Sequence, residues 1–380
     1  MSAERLGGSF DLLAAWQPGG VFVDHEGIGV ATGPGRWVAA QEAIAALADA
    51  PEGAVASGAL PFEGSGSLLI GDSQVRRSDP FVTARIGKPV APTLVTGVIP
   101  AEAFRQAALA TVPPSSFYEG AVAEASRRVR AGELRKVVLA RTIEVDAERE
   151  LDPRRLAHRL RAVDPHAYTF IAPAGDGALV GASPELLVSR HGVEVRANPL
   201  AGSAARAGDP ATDRANAERL GASAKDREEH AVVVEAVAAT LQPLCESLTW
   251  DPEPVLQETP NVWHLSTRFR GRLREPAPTA LDLARALHPT PAVGGAPSNA
   301  ALATIAQLEG FDRGGYAGPV GWVDADGNGD WAIALRCARL NGDRATLYAG
   351  AGIVGASDPA AELEETERKF GAFLDALRWG

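Results

Sequence analysis

Lysine is rare in this chain: Lys88, Lys136, Lys225 and Lys369 are the only four among 37 basic residues, the rest being arginine. A lysine kept against such a bias is a candidate for work that needs an amine able to give up its proton, which a guanidinium does not do. Lys136 opens KVVLARTIEVD, a β-branched run that predicts a strand over residues 136–146. Alternation puts Lys136, Val138 and Ala140 on one face and Val137, Leu139 and Arg141 on the other. Glu185 stands in the turn Ser183-Pro184-Glu185 ahead of another apolar run. Burial disfavours the charged form of either group, so a buried Lys–Glu pair could do base and acid work on opposite sides of one substrate. The competing reading is a solvated lysine at a strand edge. Two acidic pairs have helical spacing: Asp226 with Glu229, followed by His230, and Glu362 with Glu365, followed by Lys369. A hard divalent cation such as Mg2+ takes one or two carboxylates, several waters and often an anionic substrate oxygen. Solvated helix faces with a Glu365–Lys369 pair would look the same in sequence. His264 and Arg336 complete the candidates, Arg336 in an expected strand between apolar neighbours, where its planar fork suits a carboxylate.

The elements that must hold these residues are legible in part. Helices are expected over 38–49, 117–132, 153–163, 210–246 with Gly221 as a break, 280–288 and 358–377. Strands are expected in GGVFVDHEGIGVATG, GSLLIGD, YTFIAP, GALVGAS, ELLVSRHG, VEVRANP and VWHLSTRFRGRL. WAIALRCARL and RATLYAG are joined by Asn341-Gly342-Asp343, a hairpin signal. RIGKPVAPTLVTG (85–97) reads as a loop or edge because of its two prolines. Hairpins mixed with helices, without regular βαβ alternation, predict an α+β (mixed α/β) fold with sizeable antiparallel sheets. Gly350-Ala351-Gly352-Ile353-Val354-Gly355 matches G-x-G-x-x-G. The Rossmann context fails, since no parallel strand with its acid follows. The alternative is a loop whose backbone N–H groups hold an anion at a helix N-terminus.

Composition sets the outer limits. At 380 residues, 46% hydrophobic and 22% charged, the chain is long enough for a large core without disulfides or a metal staple. A net charge of −11 argues against nucleic acid or an anionic membrane as the main partner. Cys245 and Cys337 show no metal-ligand spacing and read as core residues. No spanning segment or signal peptide is legible, so a cytoplasmic protein is expected.

Nine segments, in order, carry a resemblance: KVVLAR (136–141), ASPELLV (182–188), NPLAGS (198–203), KDREEHAVVV (225–234), VWHLST (262–267), LHPTPAVGGAP (287–297), EGFDRGGYAGPVGW (309–322), IALRCARL (333–340) and YAGAGIVGASDPAAELEETERK (348–369). Together they resemble the chorismate-utilising enzyme family, which includes anthranilate, aminodeoxychorismate, isochorismate and salicylate synthases. The match spans about residues 115–380; residues 1–110 have no comparably specific counterpart. The resemblance implies one large domain over residues 1–380, with antiparallel sheets as core, helices outside and an active-site cleft. It implies chorismate as substrate and Mg2+ as cofactor, with Glu229 and Glu365 as ligands and Asp226 and Glu362 beside them. It implies a carboxylate bound by the loop around Gly352, the enolpyruvyl carboxylate on Arg336, Lys369 near a carboxylate or the metal, and His264 along the ring.

Within the family, a few positions separate the branches. Aminodeoxychorismate synthases carry a nucleophilic Lys in P-I-K-G-T; here Ala201 stands there, before Gly202 and Ser203. Anthranilate synthases carry Gln where this chain has Lys136, Thr where it has Ala292, and commonly Lys where it has Ser298. Isochorismate synthases share Lys136, Glu185 and Thr290-Pro291-Ala292, although Val293 stands where many have Leu. The resemblance therefore implies an isomerase: Lys136 as base for a water attacking C2 of chorismate, Glu185 as acid for the departing C4 hydroxyl. The product would feed a siderophore or menaquinone. A monomer with no glutaminase subunit is expected. The alternatives are a salicylate synthase, which also eliminates pyruvate, and a catalytically silent chorismate-binding homologue.

Overall fold

The computed structural model describes residues 12–25, 28–71, 73–76 and 108–378. The loop expected over 85–97 and Lys88 lie outside them. Two large antiparallel sheets dominate the described residues, one of ten strands and one of nine, with a third of three strands. Lys136–Asp146 is an inner strand of the ten-stranded sheet, flanked by Arg344–Ile353 on one side and by Gly295–Ala296 and Ala108–Val112 on the other. Leu186–His191 lies inside the nine-stranded sheet, between Glu194–Asn198 and Gly329–Ile333. Leu139, Phe170 and Leu179 from the first sheet share one apolar core with Val188, Trp322 and Ile333 from the second. The far face of the ten-stranded sheet is covered by helices Pro153–Val163 and Pro359–Arg378, through Leu156, Leu160, Phe370 and Phe373. This is the α+β architecture that the mixture of hairpins and helices predicts. The early strands belong to both sheets: Phe22–His25 pairs with Tyr168–Ala174, and Val55–Ala59 with Pro319–Asp324.

Local chemistry explains the helices that guide the site. Asp152 accepts from the N–H groups of Arg154 and Arg155, with Pro153 in the first turn, as its position predicts. Thr279 and Asp282 form a capping box for Ala280–Leu287. Cys245 and Cys337 are free and buried.

Tertiary pairing redraws several boundaries. The helix expected over 38–49 shrinks to Ala43–Ala48 behind a 3-10 turn, because Arg36–Ala39 pairs with Ser67–Gly71. The helix expected over 210–246 is two helices, Pro210–Ala222 and Ala224–Leu241. They part at Ser223, whose hydroxyl accepts from the Asp226 N–H, and not at Gly221. Its expected end, from Cys245, is a strand paired with Phe269–Leu273. VWHLSTRFRGRL is not one strand: Val262–Ser266 belongs to the small sheet and Phe269–Leu273 to the nine-stranded one. WAIALRCARL is likewise divided between Gly329–Ile333 and Cys337–Asn341, which lie in different large sheets. Arg336 therefore sits where the chain crosses between sheets, with φ at 49°, and not within a strand. Gly350, Ala351 and Gly352 do not form a loop either; they end the strand Arg344–Ile353, with Gly352 opposite Val138.

Candidate active site

One cavity, open to solvent on one side, collects most of the residues singled out by sequence. Glu185, Ala201, Gly202, Ser203, Glu229, His264, Ala292, Val293, Arg336, Gly352, Glu365 and Lys369 all line it. Lys136, Asp226 and Glu362 stand behind that lining. Lys136 is 1% exposed and its Nζ lies 2.9 Å from Glu229 Oε1, so the lysine is neither solvated nor in purely apolar surroundings. The strand that carries it is buried on both faces as far as Thr142, which is why alternation alone could not place it. Glu185 opens toward the cavity from the crossing between Gly177–Ser183 of the ten-stranded sheet and Leu186–His191 of the nine-stranded one, whereas Lys136 lies on a strand of the ten-stranded sheet.

Burial pushes the Glu185 carboxyl up to about 8, against the pull of a bond from the Leu200 N–H and of the cationic Lys136, Arg336 and Lys369. At neutral pH it is mostly a protonated acid, able to donate. His264 is pushed down to about 3 by burial and by Arg336 and Lys369. It is a neutral imidazole whose hydrogen bonds assign the tautomer: Nδ1–H donates to Gly202 O at 3.2 Å, and Nε2 accepts from Arg336 Nη2 at 3.2 Å. Arg336 and Ala317 both line the cavity and both hold left-handed φ, 49° and 62°. For non-glycine residues such backbone costs about 1–2 kcal/mol each, and strain of this kind gathers where geometry has a task.

The acidic residues form one electrostatic field. Burial, together with the charges of Glu229 and Glu365, raises Asp226; burial and Glu365 raise Glu362. Glu365 is also buried, yet Lys369 and a bond from Ser203 hold it well below the usual carboxylate range. Each of the three lysines among the described residues answers one glutamate: Lys136 with Glu229 at 2.9 Å, Lys225 with Glu362 at 2.9 Å, Lys369 with Glu365 at 2.6 Å. Lys369 also donates to Gly350 O at 2.8 Å. The solvated-face readings of both acidic pairs therefore fail, since Glu229 and Glu362 are 7% and 2% exposed. Among the described residues no three His, Cys, Asp or Glu side chains converge as a closed metal cage. Two cavity-facing carboxylates from two helices, in a field of repelling acids, fit a cation that keeps its waters and takes further oxygens from substrate, as Mg2+ does.

Gly352 is explained by this crowding. An added Cβ would lie 2.1 Å from Glu229 Oε1 and 3.0 Å from Lys136 Cε. The glycine lets the strand pass against the Lys136–Glu229 pair. Sequence reasoning missed Lys225 as a site residue, and also Arg313, Tyr316, Ala317, Pro184 and Leu335, which line the cavity or its rim. Glu309 and Arg313, four apart in a segment already singled out, carried the readable signal of a paired helix-end charge.

Over 333 residues the chain is 47% identical to MenF of Mycobacterium tuberculosis, covering 84% of this chain and 85% of that protein. It is 44% identical over 273 residues to the isochorismate synthase DhbC of Bacillus subtilis, covering 70% of this chain and 69% of that one. The crystal structure of DhbC from Bacillus anthracis matches with a TM-score of 0.88 and 35% identity, covering 98% of this chain and all of that one. Residues 99–378 match the family described as chorismate binding enzyme, and with the cavity, its acids and its cations assembled as above, the chain belongs to that family.

Proposed function

We propose that this protein is an isochorismate synthase, an isomerase that converts chorismate reversibly into isochorismate. One observation carries the reading: Glu185, whose carboxyl burial pushes up to about 8, lines the same cavity as Glu229, which pairs at 2.9 Å with the buried Lys136 behind it. In its neutral form Lys136 takes a proton from a water whose oxygen bonds to C2 of the ring. The C1=C2 electrons move to C1–C6, the C5=C6 electrons move to C4–C5, and the C4–O bond breaks. Glu185 gives its proton to the departing hydroxyl, which leaves as water. Glu229, 2.9 Å from Nζ, holds the ammonium formed on Lys136.

The walls support water as nucleophile. Ala201 brings no amine to the cavity, and Lys369 spends hydrogen bonds on Glu365 and Gly350. Arg336, steadied by His264, would take the enolpyruvyl carboxylate as a charge-assisted pair. Mg2+ would be held by Glu229 and Glu365, with Asp226 and Glu362 close by, and would supply charge neutralisation to the ring carboxylate. The small apolar Ala292–Val293 wall favours stopping at isochorismate rather than continuing to salicylate. The isochorismate would enter siderophore or menaquinone synthesis.

The test is chorismate with purified protein, with and without Mg2+, resolved by chromatography. A Mg2+-dependent mixture of chorismate and isochorismate without pyruvate is expected. Equal salicylate and pyruvate would replace this reading with a salicylate synthase; no turnover would replace it with a silent binding homologue.

A further inference from the structure

We propose that Arg313 is a positioning residue that fixes the distance between the Lys136 strand and the Ala292–Val293 wall, and so the fit of the ring; this rests on the chorismate reading above. Arg313 and Glu309 are 4% and 3% exposed. Arg313 Nε donates to Glu309 Oε2 at 2.9 Å, and Nη2 donates to Glu309 Oε1. Nη1 donates to Val293 O at 2.7 Å, and Nη2 donates to Val138 O at 2.9 Å. Glu309 Oε1 in turn accepts the Ala140 N–H at 2.7 Å. Val138 also donates its own N–H to Gly294 O at 2.8 Å. The strand and the turn are thus tied twice, once directly and once through the width of a guanidinium.

Arg313 touches the cavity, yet it is not built as an anion clamp. Glu309 cancels its charge, and four N–H groups of its five are committed to Glu309, Val293 and Val138. Phe62 covers its face, with the guanidinium carbon 4.1 Å from the ring centroid. A planar fork spreads its donors over three nitrogens and so spans the gap between Val293 O, Val138 O and Glu309; a lysine's three donors radiate from one nitrogen and cannot cover that width. Val293 O is the point where the turn is held, and Ala292 and Val293 are the part of the turn that meets the cavity.

The experiment compares Arg313→Lys and Phe62→Leu with the wild type in steady-state kinetics and thermal melting. Phe62 does not line the cavity, so Phe62→Leu loosens the guanidinium, and the edge-on contact with His288, while changing no lining side chain. For Arg313→Lys the KM for chorismate should rise about tenfold, the equivalent of ~1.4 kcal/mol, with kcat falling less. Phe62→Leu should shift KM the same way by a few-fold, and it decides the matter if Arg313→Lys does not fold. An unchanged KM in the folded variants, with kcat reduced only as the folded fraction falls, would overturn the inference. A wild-type enzyme that leaves chorismate unchanged would instead overturn the functional reading.

Discussion

Gly352→Ala tests whether the Lys136–Glu229 pair must sit where the strand end leaves room for it. Gly352 has no left-handed φ, so alanine adds no backbone strain there. Its Cβ would stand 2.1 Å from Glu229 Oε1 and 2.8 Å from Glu229 Cδ, which forces the carboxylate away. Because the obstacle is the end of a side chain, the fold can yield; overpacking of this kind costs about 1–3 kcal/mol. The site cannot yield as cheaply. The carboxylate must move by roughly an ångström, and a misplacement of that size costs on the order of 100-fold in rate. The expectation is kcat/KM lower by about 100-fold with a melting temperature only several degrees lower. Gly355→Ala is the control, since its nearest neighbour would be Arg130 Cγ at 3.2 Å. Initial rates of isochorismate formation, paired with circular-dichroism melting, make the measurement. If Gly352→Ala keeps its activity within about threefold, or Gly355→Ala loses as much, the assignment of Glu229 and Lys136 to the reacting geometry is wrong.

Two further changes separate the acid from the base. Glu185→Gln should abolish the reaction, and in the wild type the rate should fall as pH rises through about 8, where the buried carboxyl loses its proton. The sign for stability is the same: the folded state keeps a proton that the unfolded state gives up near 4.5, so the wild type loses stability from about 4.5 to about 8 and levels off above. Glu185→Gln should therefore gain on the wild type in melts at pH 9 relative to pH 4; a constant difference would refute the buried protonated acid. Lys136→Gln should end water addition and leave Glu229 buried without its cation, at a cost of about 3–5 kcal/mol. An unchanged melting temperature would show that the pair carries no such energy.

Of the lysines within the described residues, every one ends up facing an acid of this site. An arginine-rich surface can drift between basic residues with little loss, because exposed pairs are worth at most about 1 kcal/mol. A buried amine that must fit beside one glutamate oxygen cannot be exchanged for a wider fork. Lys136 and Lys369 mark the site for that reason, while Lys225, its side chain 37% exposed, pairs with Glu362 behind the cavity lining.

Residue type and spacing singled out the candidates: a rare lysine on a β-branched run, a glutamate after a proline turn, and two acidic pairs at helical spacing. Those signals are local, because alternation and the helical period depend on neighbours along the chain. The elements with their own caps, such as Pro153–Val163 and Ala280–Leu287, were legible for the same reason. What only the tertiary structure decided is which of these groups meet. Arg336 reaches the cavity because the chain leaves one sheet for the other at that residue, and Gly352 because its strand passes against Glu229. Glu185 is held as an acid, and Lys136 is given a partner, by desolvation and by charges far away in sequence. Burial and long-range pairing are properties of the packed sheets, and no window of sequence contains them.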